Sequence, residues 1–336
     1  MMKKHISIPI FLPQYGCVNN CVFCNQKTIT GKTRNPSLEE ATNIIDTWLI
    51  SVDQSKTYVE IAFFGGNFLG LPKSNQINYL SLAQSYIDKG LVDSIRFSTR
   101  PDTISEESLL NLSHFSVKNI EIGVQSMDDE VLNQAGRGHT AEDSIKAAKL
   151  INEMGYQLGM QMMVGLPGDD DEKSLQTAQK IAECQAIQTR IYPVLVLKNT
   201  ELADLFMSNK YIPLSIEAAI HRCIPLVELF NENKIKILKL GLHPSESFTS
   251  NKELLAGPYH PSFYQLVLSK IWRDKIIQNI NNQELNHLKI AVHSKNINYA
   301  IGYNSENRNY FKSLCKTLTF QSNDSLDIDK VEIRYH

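Results

Sequence analysis

Six short apolar runs alternate with helix-forming stretches along the first 200 residues, and no other feature narrows the fold as much. The runs are Ile6–Leu12, Tyr58–Phe64, Ile95–Thr99, Asn119–Val124, Leu158–Val164 and Arg190–Leu197. Between them, Ser37-Leu38-Glu39-Glu40 and Thr140-Ala141-Glu142-Asp143 read as helix starts, the first a capping box. Further helices are expected to reach Asp88, to start at Ser105 and to run from Asp171 to Cys184. Strands joined through helices pair in parallel with right-handed crossovers. Continuous apolar runs such as Ile61-Ala62-Phe63-Phe64 suit strands that are covered by other elements. The expected class is therefore α/β, with a parallel sheet that is either flat and doubly wound or curled into a partial barrel.

Glycines and polar residues collect at the C-terminal ends of these strands, where parallel α/β folds place ligands. Gly65, Gly66 and Asn67 end the second run, and Ser98 lies near the end of the third. Gln125 and Ser126 follow the fourth, and Gln161 lies in the fifth. Arg137 sits in Gly136-Arg137-Gly138-His139, where a guanidinium can fork to a carboxylate. After the first run come Cys17, Cys21 and Cys24, at CxxxCxxC spacing beside Gly16, Asn19 and Asn20. Three thiolates satisfy three irons of a cubane 4Fe–4S cluster and leave the fourth open. A structural site would be closed by a fourth ligand, and the next cysteine is Cys184. A three-Cys zinc site completed by His5 or His139 and a set of packed thiols are the alternatives. Cys184, Cys223 and Cys315 have no metal-ligand spacing and read as packed thiols.

The CxxxCxxC loop, with Phe23 before its third cysteine, resembles the radical S-adenosylmethionine (SAM) superfamily. More narrowly, residues 6–265 resemble the radical SAM domain of the Elongator catalytic-subunit family, and more widely the oxygen-independent coproporphyrinogen oxidases. The segments that carry this are Phe64-Gly65-Gly66-Asn67-Phe68, Ser98-Thr99-Arg100-Pro101-Asp102, Ile120–Ser126, Arg137-Gly138-His139-Thr140, Met162–Gly168 and Arg190-Ile191-Tyr192-Pro193. The resemblance implies a partial (β/α)6 TIM-like barrel, a 4Fe–4S cluster on Cys17, Cys21 and Cys24, and cleavage of SAM to a 5′-deoxyadenosyl radical. It implies SAM contacts at Gly65, Gly66, Gln125 and Arg137, and at Asn67, Ser98 and Gln161, where this chain departs from the usual Thr or Glu, acidic residue and Asp. Phe11 likewise stands where Tyr is usual. A reducing partner of flavodoxin or ferredoxin type and a tRNA substrate are also implied. A coproporphyrinogen-oxidase-like enzyme on a small molecule, or an iron–sulfur redox protein without SAM chemistry, is the alternative.

Three segments are expected: residues 1–200 as the barrel core, 201–280 as a helical extension, and 281–336 as a small α/β module after a boundary at Asn279–Gln283. Fewer than 60 residues follow Ile280, too few for the acetyltransferase-like domain of the Elongator subunit. The last segment orders as strand, helix, Gly turn, helix, strand. This resembles a minimal KH module with Gly302-Tyr303-Asn304-Ser305 in place of its GxxG loop. Leu255–Pro261 is an unusual turn that can bring Tyr259 or His260 to the barrel mouth. A net charge of −2 gives no chain-wide argument for nucleic acid. No apolar run approaches a membrane span, and the lack of a secretory signal with six mostly unpatterned cysteines points to the cytoplasm.

Overall fold

The computed structural model describes residues 4–13, 17, 21–25, 34–242, 253–281 and 287–335. The chain opens with β1 (Lys4–Leu12), α1 (Leu38–Leu49), β2 (Thr57–Gly65), α2 (Lys73–Asp88) and β3 (Ser94–Thr99). Then come α3 (Glu106–Leu110), β4 (Val117–Gln125), α4 (Asp129–Gln134), α5 (Ala141–Glu153), β5 (Gln157–Val164), α6 (Asp171–Glu183) and β6 (Gln188–Pro193). Helix starts follow the local chemistry. Ser37 caps α1 and Thr140 caps α5, each in a reciprocal box with the residue three positions on. Next are β7 (Val196–Leu197), α7 (Glu201–Met207), α8 (Ile216–Glu232), β8 (Lys236–Leu240), β9 (Leu254–Ala256) and α9 (Phe263–Asn279).

Seven strands form one sheet in the order β1-β2-β3-β4-β5-β6-β8. Every pairing in it is parallel. One face of each strand packs against the helices through Ile8, Ile61, Phe97, Ile122, Met160 and their neighbours, all buried. The opposite face lines a single cavity, from His5, Ser7, Pro9 and Phe11 on β1 to Lys236 and Leu238 on β8. A sheet whose two edge strands border the same cavity is curled, and this is the expected partial barrel with one strand more. The stretch near 235–240, assigned above to the helical extension, is that seventh strand. The run read as Arg190–Leu197 is divided: β6 ends at Pro193, which has no N–H for a ladder, and β7 pairs antiparallel with β9. Among the described residues no helix is long and apolar enough to cross a membrane.

Gly65 ties the ends of β1 and β2 together. Its φ is +124°, and a Cβ there would lie 2.5 Å from the Leu12 carbonyl oxygen. The next amide, Gly66 N, donates to that same oxygen at 3.1 Å. Leu12 leads directly into the cysteine loop, so Gly65→Ala is expected to strain this corner by about 1–3 kcal/mol and to move the loop's starting point. Thermal melts check the first effect. Iron content after reconstitution, expected to fall below wild type, checks the second.

The C-terminal module holds β10 (His287–Val292), α10 (Ile297–Ile301), α11 (Glu306–Lys312), β11 (Thr317–Ser322) and β12 (Val331–Tyr335). β10 is central, parallel to β11 and antiparallel to β12. Leu288, Ile290, Val292, Ala300 and Phe311 pack onto Trp272 and Ile276 of α9. Part of the expected boundary, Asn282 and Gln283, lies outside the described residues.

Candidate active site

The described residues of the cysteine loop, Cys17 and Cys21–Asn25, lie at the C-terminal mouth of the barrel. The loop's described part is held by backbone bonds on both sides: Val22 N donates to Ala135 O at 3.1 Å, and Leu202 N donates to Val22 O at 2.8 Å. Asn25 Nδ2 donates to Lys198 O at 3.1 Å. Val22 is buried among Val131, Ala135, Leu166, Val194 and Leu202. These contacts set the Cys21–Cys24 turn between α4 and α7 without using a cysteine side chain. Tyr15, Gly16, Val18, Asn19, Asn20 and Gln26 lie outside the described residues.

Cys17, Cys21 and Cys24 line the same cavity of about 1460 Å³ as Gly65, Gly66, Ser98, Gln125, Arg137 and Gln161. The β4–β5 register slips between Gly123 and Gln125, and such a bulge re-aims the side chains beyond it. Gln125 there takes φ +66°, a left-handed conformation that costs energy outside glycine and clusters at functional sites. Its buried Oε1 has no partner. Arg137 sits after α4, only 5% exposed. Its Nη1 donates to Cys21 Sγ at 3.1 Å and its Nη2 to Gly123 O at 2.5 Å, which leaves the buried Nε without a partner. Burial pushes the Cys17 thiol up, and the charges of Arg100 and Arg137 pull against it. Burial also lowers His139 to about 4, with Arg137 and Arg100 adding to the effect, so this ring is neutral near pH 7.

Asn67 does not itself line the described cavity, although Gly66 beside it does. It is 3% exposed, and its Oδ1 accepts from Thr99 Oγ1 at 2.6 Å, Thr103 Oγ1 at 3.0 Å and Arg100 N at 3.2 Å. Tyr259 and His260 do not line this cavity themselves but border Pro193, Leu195 and Leu242, which do. His260 stands edge-on to Tyr303 of the C-terminal module, and Tyr259 packs beside Leu195 and Leu197. The Gly302–Ser305 turn lies against α9: Tyr303 N donates to Ser269 Oγ at 3.0 Å, and buried Asn307 donates to Ser269 O at 2.7 Å. Gly302 has φ +87°, but Ser305, in the place of the second glycine, is also left-handed at φ +63°.

Below the mouth, the barrel interior is filled by an ion-pair network. Glu121 Oε1 accepts from Arg96 Nη1 at 2.7 Å, and Glu121 Oε2 accepts from Arg190 Nε at 2.6 Å. Arg96 Nε continues to Glu60 Oε1 at 2.7 Å. Gln161 Nε2 donates to Glu121 Oε2 at 2.9 Å and to Ser98 Oγ at 3.1 Å. The network therefore sets two residues of the cavity wall. Sequence reading did not single out Arg96 or Arg100, although charged residues inside apolar strand runs were the available signal.

The donor set fits a cubane cluster with SAM better than zinc. Zinc requires its ligands to converge on one point, and among the described residues no three His, Cys, Asp or Glu side chains do so. His5 lies at the far end of β1, 3.2 Å from Glu60. A cubane spreads its thiolates over three irons. The unpartnered Gln125 oxygen and Arg137 Nε offer an acceptor for an ammonium and a donor for a carboxylate, the two ends of an amino acid.

The radical SAM superfamily model matches residues 11–181, half of the chain. The chain belongs to the radical SAM superfamily. A radical SAM C-terminal domain model matches residues 187–273. Radical SAM proteins are enzymes that use a 4Fe–4S cluster and S-adenosylmethionine, and these are this chain's cofactors. Among curated relatives it is similar to the tRNA uridine(34) acetyltransferase of Methanocaldococcus jannaschii, 34% identical over 125 residues, covering 36% of this chain and 23% of that protein. It is also similar to Elongator complex protein 3 of Schizosaccharomyces pombe, 27% identical over 183 residues, 48% of this chain and 34% of that one. The matches thus span 23% and 34% of those relatives. The structure of the archaeal Elp3 of Methanocaldococcus infernus superposes with a TM-score of 0.63 at 17% identity, covering 82% of this chain and 64% of that one. At that identity the likeness carries the fold.

Proposed function

We propose that this radical SAM enzyme acts on a nucleotide of tRNA, with Cys17, Cys21 and Cys24 as the cluster ligands and the C-terminal mouth as the SAM site. The observation that carries the site is the convergence of three cysteines, Arg137 and Gln125 on one cavity. A reduced cluster held there by Cys17, Cys21 and Cys24 would supply the electron for reductive cleavage of SAM. The chain's own residues bind and orient. The Arg137 guanidinium favours the SAM carboxylate and the Gln125 oxygen the ammonium. Gln161, held by Glu121, and Ser98, held by Gln161, present an amide and a hydroxyl to the ribose side.

A tRNA substrate is supported by the names of the curated relatives and by the space available. About 1460 Å³ exceeds the roughly 300–1,000 Å³ of an ordinary small-molecule site, leaving room for a substrate group beside SAM. A base reached inside such a cavity has to leave its stack. The Gly302–Ser305 turn supports a packing role for the C-terminal module, because its Tyr303 amide is already bonded to α9.

The test is 5′-deoxyadenosine release by the reconstituted, reduced protein with SAM and bulk tRNA. Intact tRNA is expected to raise the rate several-fold over nuclease-digested tRNA. Equal basal release in both, across total tRNA pools, would remove the tRNA reading and leave a radical SAM enzyme of another substrate.

A further inference from the structure

We propose that Arg100 is a positioning residue that raises the reduction potential of the iron–sulfur centre. This rests on Cys17, Cys21 and Cys24 being the cluster ligands.

Arg100 follows the last residue of β3, and Pro101 after it holds its backbone extended, at φ −92° and ψ 148°. The backbone N is fixed by Asn67 Oδ1 at 3.2 Å. The side chain lines the cavity with Cys17, Cys21 and Arg137, and the residue is 3% exposed. Nε donates to Asp102 Oδ1 at 2.8 Å, and Nη2 donates to Asp102 Oδ2 at 3.0 Å. Nη2 also donates to the Arg137 carbonyl. Arg100 therefore holds the residue whose own guanidinium contacts Cys21. The third nitrogen, Nη1, is buried and has no partner among the described residues.

A buried guanidinium nitrogen without an acceptor is costly, since it has lost water for nothing. That cost is removed when an anionic acceptor arrives. Arginine does not deprotonate in proteins, so the group stays a cationic donor whatever binds. Asp102 does not cancel it fully, because that carboxylate is 32% exposed and solvent screens it. The residual positive charge borders the cavity that Cys17 and Cys21 also line, and Arg100 holds Arg137, whose guanidinium donates to Cys21 Sγ. Reducing a thiolate-ligated cluster adds one electron to a centre already negative. Hydrogen bonds to its sulfurs and nearby positive charge make that addition easier and raise the potential. Arg137 shares this field but is assigned to SAM. Arg100, which donates to the Arg137 carbonyl and is assigned no SAM contact, is left to serve the cluster.

The experiment is a redox titration of the reconstituted full chain, followed by electron paramagnetic resonance without SAM. Arg100→Gln is expected to bind iron as wild type does, while the reduced-to-oxidised ratio at a fixed poise falls about tenfold, about 59 mV for a one-electron couple. Asp102→Asn removes the neighbouring anion and is expected to shift the ratio the opposite way. A purely structural role for Arg100 does not produce opposite shifts. An Arg100→Gln potential equal to wild type at equal iron content overturns the proposal. If that variant does not load iron, an Asp102→Asn potential equal to or below wild type overturns it. A several-fold loss of SAM affinity in Arg100→Gln with no change in potential assigns Nη1 to the SAM carboxylate instead, and also overturns it. Failure of the underlying ligand reading shows separately: Cys17→Ala would then keep a wild-type cluster signal.

Discussion

Glu121→Ala is expected to destabilise the protein by about 3–5 kcal/mol, lowering Tm on the order of 10 °C. Glu121 is 1% exposed, and its two oxygens accept from Arg96, Arg190 and Gln161. Removing the carboxylate leaves Arg190, itself largely buried, without an anion. It also leaves Arg96 with Glu60 alone. Glu121→Gln is expected to be nearly as severe, because an amide has one acceptor oxygen and turns two N–H donors towards guanidinium donors. The double change Glu121→Met with Arg190→Met is expected to recover part of the loss, since a partner removed with its charge leaves nothing unpaired. Burial raises the Glu121 carboxyl, but Arg190 and Arg96 outweigh it and hold it below the usual range. In Glu60 burial is likewise outweighed, by His5 and Arg96, and its carboxyl lies at about 2. A carboxyl lowered on folding stabilises above its unfolded value, near 4.3. That contribution is lost as pH falls towards the folded value. Wild type is therefore expected to lose stability from about pH 4.5 downward, and Glu121→Ala to lose less over that range. Denaturant unfolding at pH 7 and pH 3 measures both. A single variant within about 1 kcal/mol of wild type at pH 7 sinks this account of the barrel interior.

The same network marks the limit of what the sequence discloses. The parallel sheet was legible because its signals are local: apolar runs, capping boxes, and Pro101 ending β3. The cysteine loop was legible because a cluster site needs three thiols at short spacing. Gly65, Gly66, Ser98, Gln125, Arg137 and Gln161 were expected at one mouth, and all line one cavity. Asn67 was not so placed, because its neighbours Thr99 and Thr103 lie more than 30 positions on, and only the β2–β3 pairing brings them close. Arg96 inside Ser94-Ile95-Arg96-Phe97 looks like an interruption of an apolar strand. It becomes a core residue once curling faces it with Glu60 and Glu121. Glu121 inside a strand run calls for a partner, because a buried carboxylate is costly alone, and Arg190 supplies it. β8 was not legible as a sheet member, since two helices separate it from β6 and its partner is set by tertiary packing.

Cys17→Ala, Cys21→Ala and Cys24→Ala are each expected to reduce SAM cleavage to background while leaving the fold intact. The fold should survive because the described loop is anchored by Val22, Leu202 and Asn25 through bonds that no cysteine side chain makes. The chemistry should not, because a cubane with one open iron needs the other three held. Removing a thiolate exposes a second iron and loosens the whole group. Iron is expected at about four per chain in wild type and well below that in each variant. Cys21→Ala has a further effect, since Arg137 Nη1 loses the sulfur 3.1 Å away. Its guanidinium is then free of one restraint, so residual SAM binding should differ from that of Cys17→Ala and Cys24→Ala. Cys184→Ala supplies the control: Cys184 closes α6, and burial raises its thiol with no cation to pull it down. Iron assays, circular dichroism and anaerobic 5′-deoxyadenosine release on the four variants read these effects separately. Wild-type iron and cleavage in all three loop variants would remove the cysteine loop from the chemistry. Loss of iron in Cys184→Ala alone would move the ligand set to the other end of the barrel helices.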